Sequence, residues 1–347
     1  MICPGPVCFE ASEIYGIHIG FRIIPGNTTG MPLRTMPRIL IEAGWLHKST
    51  YNDSGGRMSA DVTTLTRLIN NEVIQAMGLR TDRWVSERLQ LILSRATRRF
   101  CELFSEADRI IAEQGLTAGA RWLLLKLVQD FRTRGAQNIP CEGPLVIASN
   151  HPGTVDSVAL IASAGREDLK VIASAVPFLQ NLTHVREHLI FLPREGVQAR
   201  MVVVREAIRH LSEGGALLLF ARGGIDADPS FMREGDEELA HWSRSLEIFL
   251  HSVPQTRVIT SIVSHVIEPA YMHHPLTWLK RARPDRQRLA MMIQIIQQML
   301  GKQLEIVPRV SFGEVIDPER CPGTEHLLPV VTESARCLMK SHLAWQA

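Results

Sequence analysis

"GPLVIASNHPGTVDSVAL", residues 143–160, decides how the rest of this chain is read. An apolar run ends abruptly in Asn150, His151 and Pro152, and the apolar pattern resumes beyond Asp156. A short run without polar alternation is what a strand covered on both faces looks like. The residues that follow, 155–165, space their apolar side chains as a helix does. Strand, polar corner and helix make up the unit from which doubly covered sheets are assembled.

The same texture repeats downstream. "LKVIAS" (169–174), "LIFLP" (189–193) and "GALLLF" (215–220) are short apolar strands, and 197–213 is a helical stretch between two of them. "GDEELAHWSRSLEIFLHSVP" (235–254) reads as a further helix before the strand "RVITSIVSHV" (257–266). Residues 272–288 read as a basic loop, "LAMMIQIIQQML" (289–300) as a helix, "LEIVPRVSFGEVI" (304–316) as a late strand, and 325–345 as a closing helix. The pattern predicts an α/β fold, a largely parallel mixed sheet covered by helices.

Upstream the period is helical. "DRWVSERLQLILSRATRRFCELFSEADRIIAEQG" (82–115) is one helix stopped by Gly115, and "TAGARWLLLKLVQDFRTRG" (117–135) a second, capped by Thr117 and ended by Gly135. Ser59 or Asp61 caps an earlier one. Turn and breaker residues crowd the first 57 positions. Three segments are expected: a flexible N-terminal extension (1–57), a helical region (58–135) and an α/β domain (136–347).

Bulk properties narrow the function classes. The chain has 347 residues, is 45% hydrophobic and 21% charged, and carries a net charge of +2, too small to argue for nucleic acid. Its six cysteines form no Cys-x-x-Cys pair, which points to reduced thiols in the cytoplasm and to no zinc site. The start lacks the basic leader and apolar core of a signal peptide. The longest apolar runs fall far short of the roughly 20 residues that span a bilayer, so any membrane contact is peripheral.

In an open α/β sheet, ligands gather beyond the carboxyl ends of the strands. His151 stands at such an end. Thr154 is placed to cap the next helix, with Asp156 in its first turn. If the loop folds back, Asp156 can fix one imidazole nitrogen and leave the other to take a proton. The residues alone also allow a plainer account. An aspartate is favoured in any first helical turn, and a histidine before Pro-Gly can be a turn residue.

The company kept by this corner resembles the glycerolipid acyltransferase family. "NHPGTVD" supplies the family's Asn-His, four residues, then Asp, as Asn150, His151 and Asp156; "RGAQNIPCEGPLVIASNHPG" (134–153) is similar to its approach. "LIFLPREG" (189–196) fits the second motif, with Arg194 in the arginine position. "GGALLLFARGGIDADP" (214–229) keeps Gly215, Phe220 and Gly223 of the third, but has Ala221 for proline, Arg222 for glutamate and Ile225 for arginine. "ITSIVSHV" (259–266) fits the fourth without its proline, Ser264 standing near that place. The likeness runs from about residue 115 to 315, as a divergent member.

The resemblance implies a peripheral membrane enzyme of phospholipid biosynthesis that moves an acyl group from a thioester to a hydroxyl of a precursor such as lysophosphatidate or glycerol 3-phosphate. His151 would be the general base and Asp156 its partner, with Asn150 and Arg194 on the substrate side. No cofactor is implied, acyl-CoA or acyl carrier protein being the donor substrate. Arg222 has no family counterpart; it either serves a phosphate or carboxylate or pairs with Asp226 or Asp228. Gly223 and Gly224 are candidate backbone donors to an oxyanion. Arg121–Lys126, with Trp122, either meets a bilayer or packs in the core, and the cations of 280–288 near Trp278 either meet anionic headgroups or are solvated. A catalytically silent lipid-binding member and a thioesterase stand as alternatives.

Overall fold

The computed structural model describes residues 12–13, 18–19, 61–76, 83–192, 197–231, 238–242, 245–318 and 327–345. Apart from a two-residue antiparallel pair, β1 (Ser12–Glu13) with β2 (His18–Ile19), the expected extension 1–57 lies outside the described residues. The body of the fold is one seven-stranded sheet in the order β3-β9-β8-β4-β7-β5-β6. The strands are β3 (Arg132–Arg134), β4 (Leu145–Ser149), β5 (Leu169–Ser174), β6 (Leu189–Leu192), β7 (Ala216–Phe220), β8 (Arg257–Ser264) and β9 (Arg309–Ile316). Every neighbouring pair is parallel except β8 with β9, so the expected parallel mixed sheet is what forms.

The central strands β4 and β7 are buried at every position because both faces are covered. On one face Leu145, Ile147, Leu218, Ile259 and Val263 pack against Leu123 and Leu124 of α3 (Leu116–Leu127) and Leu160 of α4 (Asp156–Ala164). On the other, Val146, Leu217, Leu219 and Ile262 meet α6 (Val197–Ser212), α7 (Ser245–Ser252) and α10 (Leu328–Leu343). Successive side chains of β4 and β7 thus enter different cores, the period-2 geometry of a strand. A third, smaller core joins α1 (Val62–Ala76), α2 (Arg83–Gln114) and α5 (Pro177–Gln180) through Leu65, Cys101 and Phe178.

Several boundaries moved, each for a physical reason. Asp61 is the cap of α1, accepting a bond from the Thr64 N–H at 2.6 Å. Gly115, at φ +95°, stops α2 as expected. Thr117 does not cap α3, which starts at Leu116; the carboxylate of Glu167 accepts from the Leu116 and Thr117 amides instead, an anion on the positive end of a helix. Nor does α3 reach Gly135. Arg132–Arg134 instead form the edge strand β3 on β9, a place suited to charged side chains. The 272–288 segment is not all loop: α9 (Arg283–Met299) opens with Pro284 in its first turn, where a missing N–H costs nothing. The expected long helix over 235–254 is described only as α7 and a short turn before it.

β4 occupies the centre of the sheet. The chain leaving β4 travels toward β5, on the β7 side, while the chain leaving β7 crosses to β8 on the other side. Such a reversal opens a crevice beyond the carboxyl ends of the strands. His151 lies at that point.

Candidate active site

The corner after β4 is built from both of its neighbours. Asn150 continues the strand with its side chain: Nδ2 donates to the Val263 carbonyl at 2.9 Å, and Oδ1 accepts from the Val263 N–H at 2.8 Å. The backbone of His151 is then held from the β7 side. Its N–H donates to Asp226 Oδ2 at 2.7 Å, and its carbonyl accepts from the Asp226 N–H at 2.7 Å.

Two left-handed residues now reverse the chain, Gly153 at φ +98° and Thr154 at φ 59°. Glycine adopts this freely. A β-branched threonine does so at a cost of order 1–3 kcal/mol, characteristic of a constrained site. Thr154 has no capping role, contrary to expectation; its hydroxyl donates to the Val266 carbonyl at 2.9 Å, which ties the strained residue to the end of β8.

The reversal brings the first residue of α4 back onto the histidine. Asp156 Oδ2 lies 2.8 Å from His151 Nδ1 and accepts from the Gly153 N–H at 2.7 Å, and Oδ1 accepts from the Ser157 N–H at 2.6 Å. A carboxylate that accepts from two amides is an acceptor toward the ring, so Nδ1 carries its proton toward Asp156 and Nε2 is left with a lone pair. Asp156 is 1% exposed and His151 24%. The imidazole stacks on Phe220 with ring centroids 4.0 Å apart, which fixes the plane of the ring. Burial alone would lower the imidazole pKa, but the charge and hydrogen bond of Asp156, with the charge of Asp226, outweigh it and raise the pKa above the ordinary value. Asp226 is itself pushed up to about 6, chiefly by burial.

A cavity of about 220 Å³ opens beside this pair. His151 and Phe220 form part of its wall; apart from Ser157 and Ser174 the remainder is apolar, with Phe104 and Ile111 from α2, Leu123 from α3, and Val158 and Ile161 from α4. The amphipathic helices ahead of the sheet therefore have two uses, closing the core and lining a slot that ends at an imidazole.

The structure brings together His151 and Asp156 and re-assigns most of the other expected residues. Asn150 is 2% exposed with both ends of its amide occupied by Val263; it is a strand clamp and not a substrate contact. Gly223 cannot serve as an oxyanion donor here, because its N–H already donates to the Phe220 carbonyl at 3.0 Å. Gly224 is half-buried with open space where a Cβ would stand. Arg222 takes its ion-pair alternative, with Asp226 Oδ1 and Glu238 Oε1 each at 3.4 Å and the Ile225 carbonyl at 3.0 Å. Arg194 lies outside the described residues. In α3, Leu123 and Leu124 are buried, whereas Arg121, Leu125 and Lys126 are exposed, Lys126 over the Trp122 ring, so one face of that helix packs in the core and the other meets solvent.

Three contributors escaped the sequence reading. By spacing Asp226 is a partner for Arg222, yet in the fold it also clamps the backbone of His151. Asp228 is fully buried and accepts from the His265 and Val266 amides, fixing the end of β8. Gln287 of α9 donates to the Pro152 and Asp226 carbonyls at 3.2 and 2.7 Å and accepts from the Asp228 N–H, tying both loops to one helix. The alternation Asp226, Asp228 at a strand end was the available signal for the first two; nothing local marks Gln287.

Residues 130–263 match the family model described as Acyltransferase. Among solved structures the chain is similar to the 1-acyl-sn-glycerophosphate (LPA) acyltransferase PlsC from Thermotoga maritima, at 16% identity, over 82% of this chain and 97% of that one, with a TM-score of 0.42. No curated protein matches it. The stretch 130–263 contains the histidine corner and the strands on either side of it, and it is there that this chain is similar to the Acyltransferase family.

Proposed function

We propose that the protein transfers a fatty acyl group from an acyl thioester, carried by CoA or by an acyl carrier protein, to a hydroxyl of a glycerolipid precursor such as lysophosphatidate or glycerol 3-phosphate. The observation that carries this reading is the His151–Asp156 pair at 2.8 Å in the wall of an apolar cavity. A hydrolase acting on small polar substrates has no use for such a wall, whereas a fatty chain does.

In this reading the acceptor hydroxyl approaches Nε2 of His151. As its oxygen attacks the thioester carbonyl, Nε2 takes the hydroxyl proton and Asp156 stabilises the imidazolium. The tetrahedral intermediate collapses, the C–S bond breaks, and the thiolate leaves with the proton that His151 returns. One proton, one acyl group and no protein-bound intermediate account for the whole exchange. Gly224 is the remaining glycine candidate to donate its amide to the oxyanion. Because the charge of Arg222 is already offset by two carboxylates, an anionic acceptor is assigned to Arg194, whose guanidinium fork suits a phosphate. Among the described residues no helix is long and apolar enough to cross a membrane, and a lipid acceptor then calls for work at a membrane surface.

The test is incorporation of labelled acyl-CoA into lysophosphatidate, with His151→Asn as control. Label transferred by the wild type and lost in the variant supports the reading. Equal transfer by both refutes the role of His151, and free acid released without an acceptor points to a thioesterase.

A further inference from the structure

We propose that the turn Pro275–Leu279 and the basic start of α9 form a docking surface for an anionic lipid bilayer. Leu276, Trp278 and Leu279 are 50%, 68% and 78% exposed. Three large apolar side chains facing water within four residues demand a partner. They are displayed by a rigid turn. Thr277, between them, is fully buried, and its hydroxyl bonds to the Met272 and His274 carbonyls at 3.1 and 2.6 Å. His274 Nδ1 accepts from the Leu276 N–H at the start of the same 3-10 turn. With Thr277 pinned inward, its neighbours point out.

Cations follow at once. Residues 280–288 carry five cations, Lys280, Arg281, Arg283, Arg286 and Arg288, and one carboxylate, Asp285, which pairs with Arg288 at 3.4 Å, in a chain whose net charge is only +2. Arg286 Nε donates to the Lys280 carbonyl at 2.7 Å, so the first turn of α9 is fastened to the apolar tip. An indole and two leucines flanked by basic side chains suit the boundary between headgroups and acyl chains. An acidic protein surface would use the cations but has no reason to meet a protruding leucine exposed by three quarters.

The surface is linked to the site. Gln287, one helical turn after Arg283, holds the Pro152 and Asp226 carbonyls, and the Met291 methyl lies where a Cβ on Gly153 would sit. The helix that meets the bilayer thus touches the loop that carries His151. The inference deepens the proposed function by naming how a lipid acceptor is approached, and it is measured without turnover.

The experiment is co-sedimentation of the full chain with phosphatidylcholine vesicles, with and without phosphatidylserine. Binding to the anionic vesicles is expected, weakening as added salt shortens the screening length from about 10 Å at 0.1 M toward about 3 Å at 1 M. The triple variant Leu276→Ser, Trp278→Ser, Leu279→Ser and the double variant Lys280→Glu, Arg281→Glu should each lose about tenfold or more in partitioning. Trp278→Phe, which keeps a ring, should retain most of it. Circular dichroism checks that each variant folds. Wild-type sedimentation matched by both multiple variants overturns the proposal, as does equal binding to neutral and anionic vesicles. Failure of wild-type vesicle binding, with an acidic carrier protein captured by this surface instead, overturns it too. An inactive protein that still binds anionic vesicles through these residues leaves the docking surface standing and removes the acyltransferase reading alone.

Discussion

Two histidines at the ends of a strand and a helix show what a partner does to a buried imidazole. His151, after β4, faces the carboxylate of Asp156. His342, near the end of α10, is 2% exposed and lies between two hydroxyls, Ser264 Oγ at 2.7 Å from Nε2 and Ser311 Oγ at 2.7 Å from Nδ1. Burial pulls both pKa values down. At His342 nothing opposes it, and the value falls to about 3. At His151 a carboxylate opposes it and wins. A hydroxyl can donate or accept, so two of them satisfy a neutral ring and ask for no charge. A carboxylate stabilises a ring that gains a proton. The same side chain is a strut in one place and a candidate base in the other.

The comparison breaks first at Asp156. Asp156→Asn keeps the size and a hydrogen bond but removes the charge, and should turn His151 toward the behaviour of His342. The His151 pKa should fall, and in the proposed reaction kcat should drop by about 10²–10⁴, the usual worth of a general base. Titration of the ring by NMR together with steady-state rates checks both. An unshifted pKa with an unchanged rate would remove Asp156 from the mechanism.

The next largest effect is on stability, at His342. Its folded pKa lies below the unfolded value, so between about pH 3 and pH 6.5 the unfolded chain binds a proton that the folded chain does not. Stability therefore rises with pH across that window and is lost on acidification. The full span is on the order of 5 kcal/mol at 1.36 kcal/mol per unit. His342→Gln keeps polar atoms for Ser264 and Ser311 but cannot titrate, and should flatten the acid limb in denaturant melts taken as a function of pH. An acid limb as steep as that of the wild type would show that other groups carry it.

What could be seen in the sequence divides along a physical line. β4, β5 and β7 were legible because strands in a covered parallel sheet read as nearly continuous apolar runs. The His151–Asp156 spacing was legible as a possibility, since five residues and a glycine can fold back. The closure itself was not legible, because it depends on Thr154 adopting a conformation that β-branched residues avoid. Asn150 was misread for a different reason. Its partner, Val263, lies 113 residues away, and a polar residue at a strand end looks the same whether it faces a ligand or a neighbouring strand. Arg222 offered two partners by spacing alone, and Glu238, which shares its charge, was out of local reach.

Asp226 sharpens the comparison from the other side, as a carboxylate that serves a histidine through its backbone. Its pKa is raised to about 6, above the ordinary value of 3.8, because burial outweighs the bond from the His151 N–H and the charge of Arg222. A raised carboxylate means that between about pH 4 and pH 6 the folded chain binds more protons than the unfolded one, so this group lowers stability as pH rises through that window. The charge costs on the order of 2–3 kcal/mol at neutral pH. Asp226→Asn retains an oxygen for the His151 N–H and should melt higher than the wild type at pH 8, with little difference at pH 4. Asp226→Ala removes the clamp as well, and should lower kcat about tenfold with KM nearly unchanged, since a looser His151 is felt where the proton moves. If Asn and Ala variants lose the same activity, the charge near His151 matters more than the hold on its backbone, and Asp226 then acts as a second, more distant counterpart of Asp156.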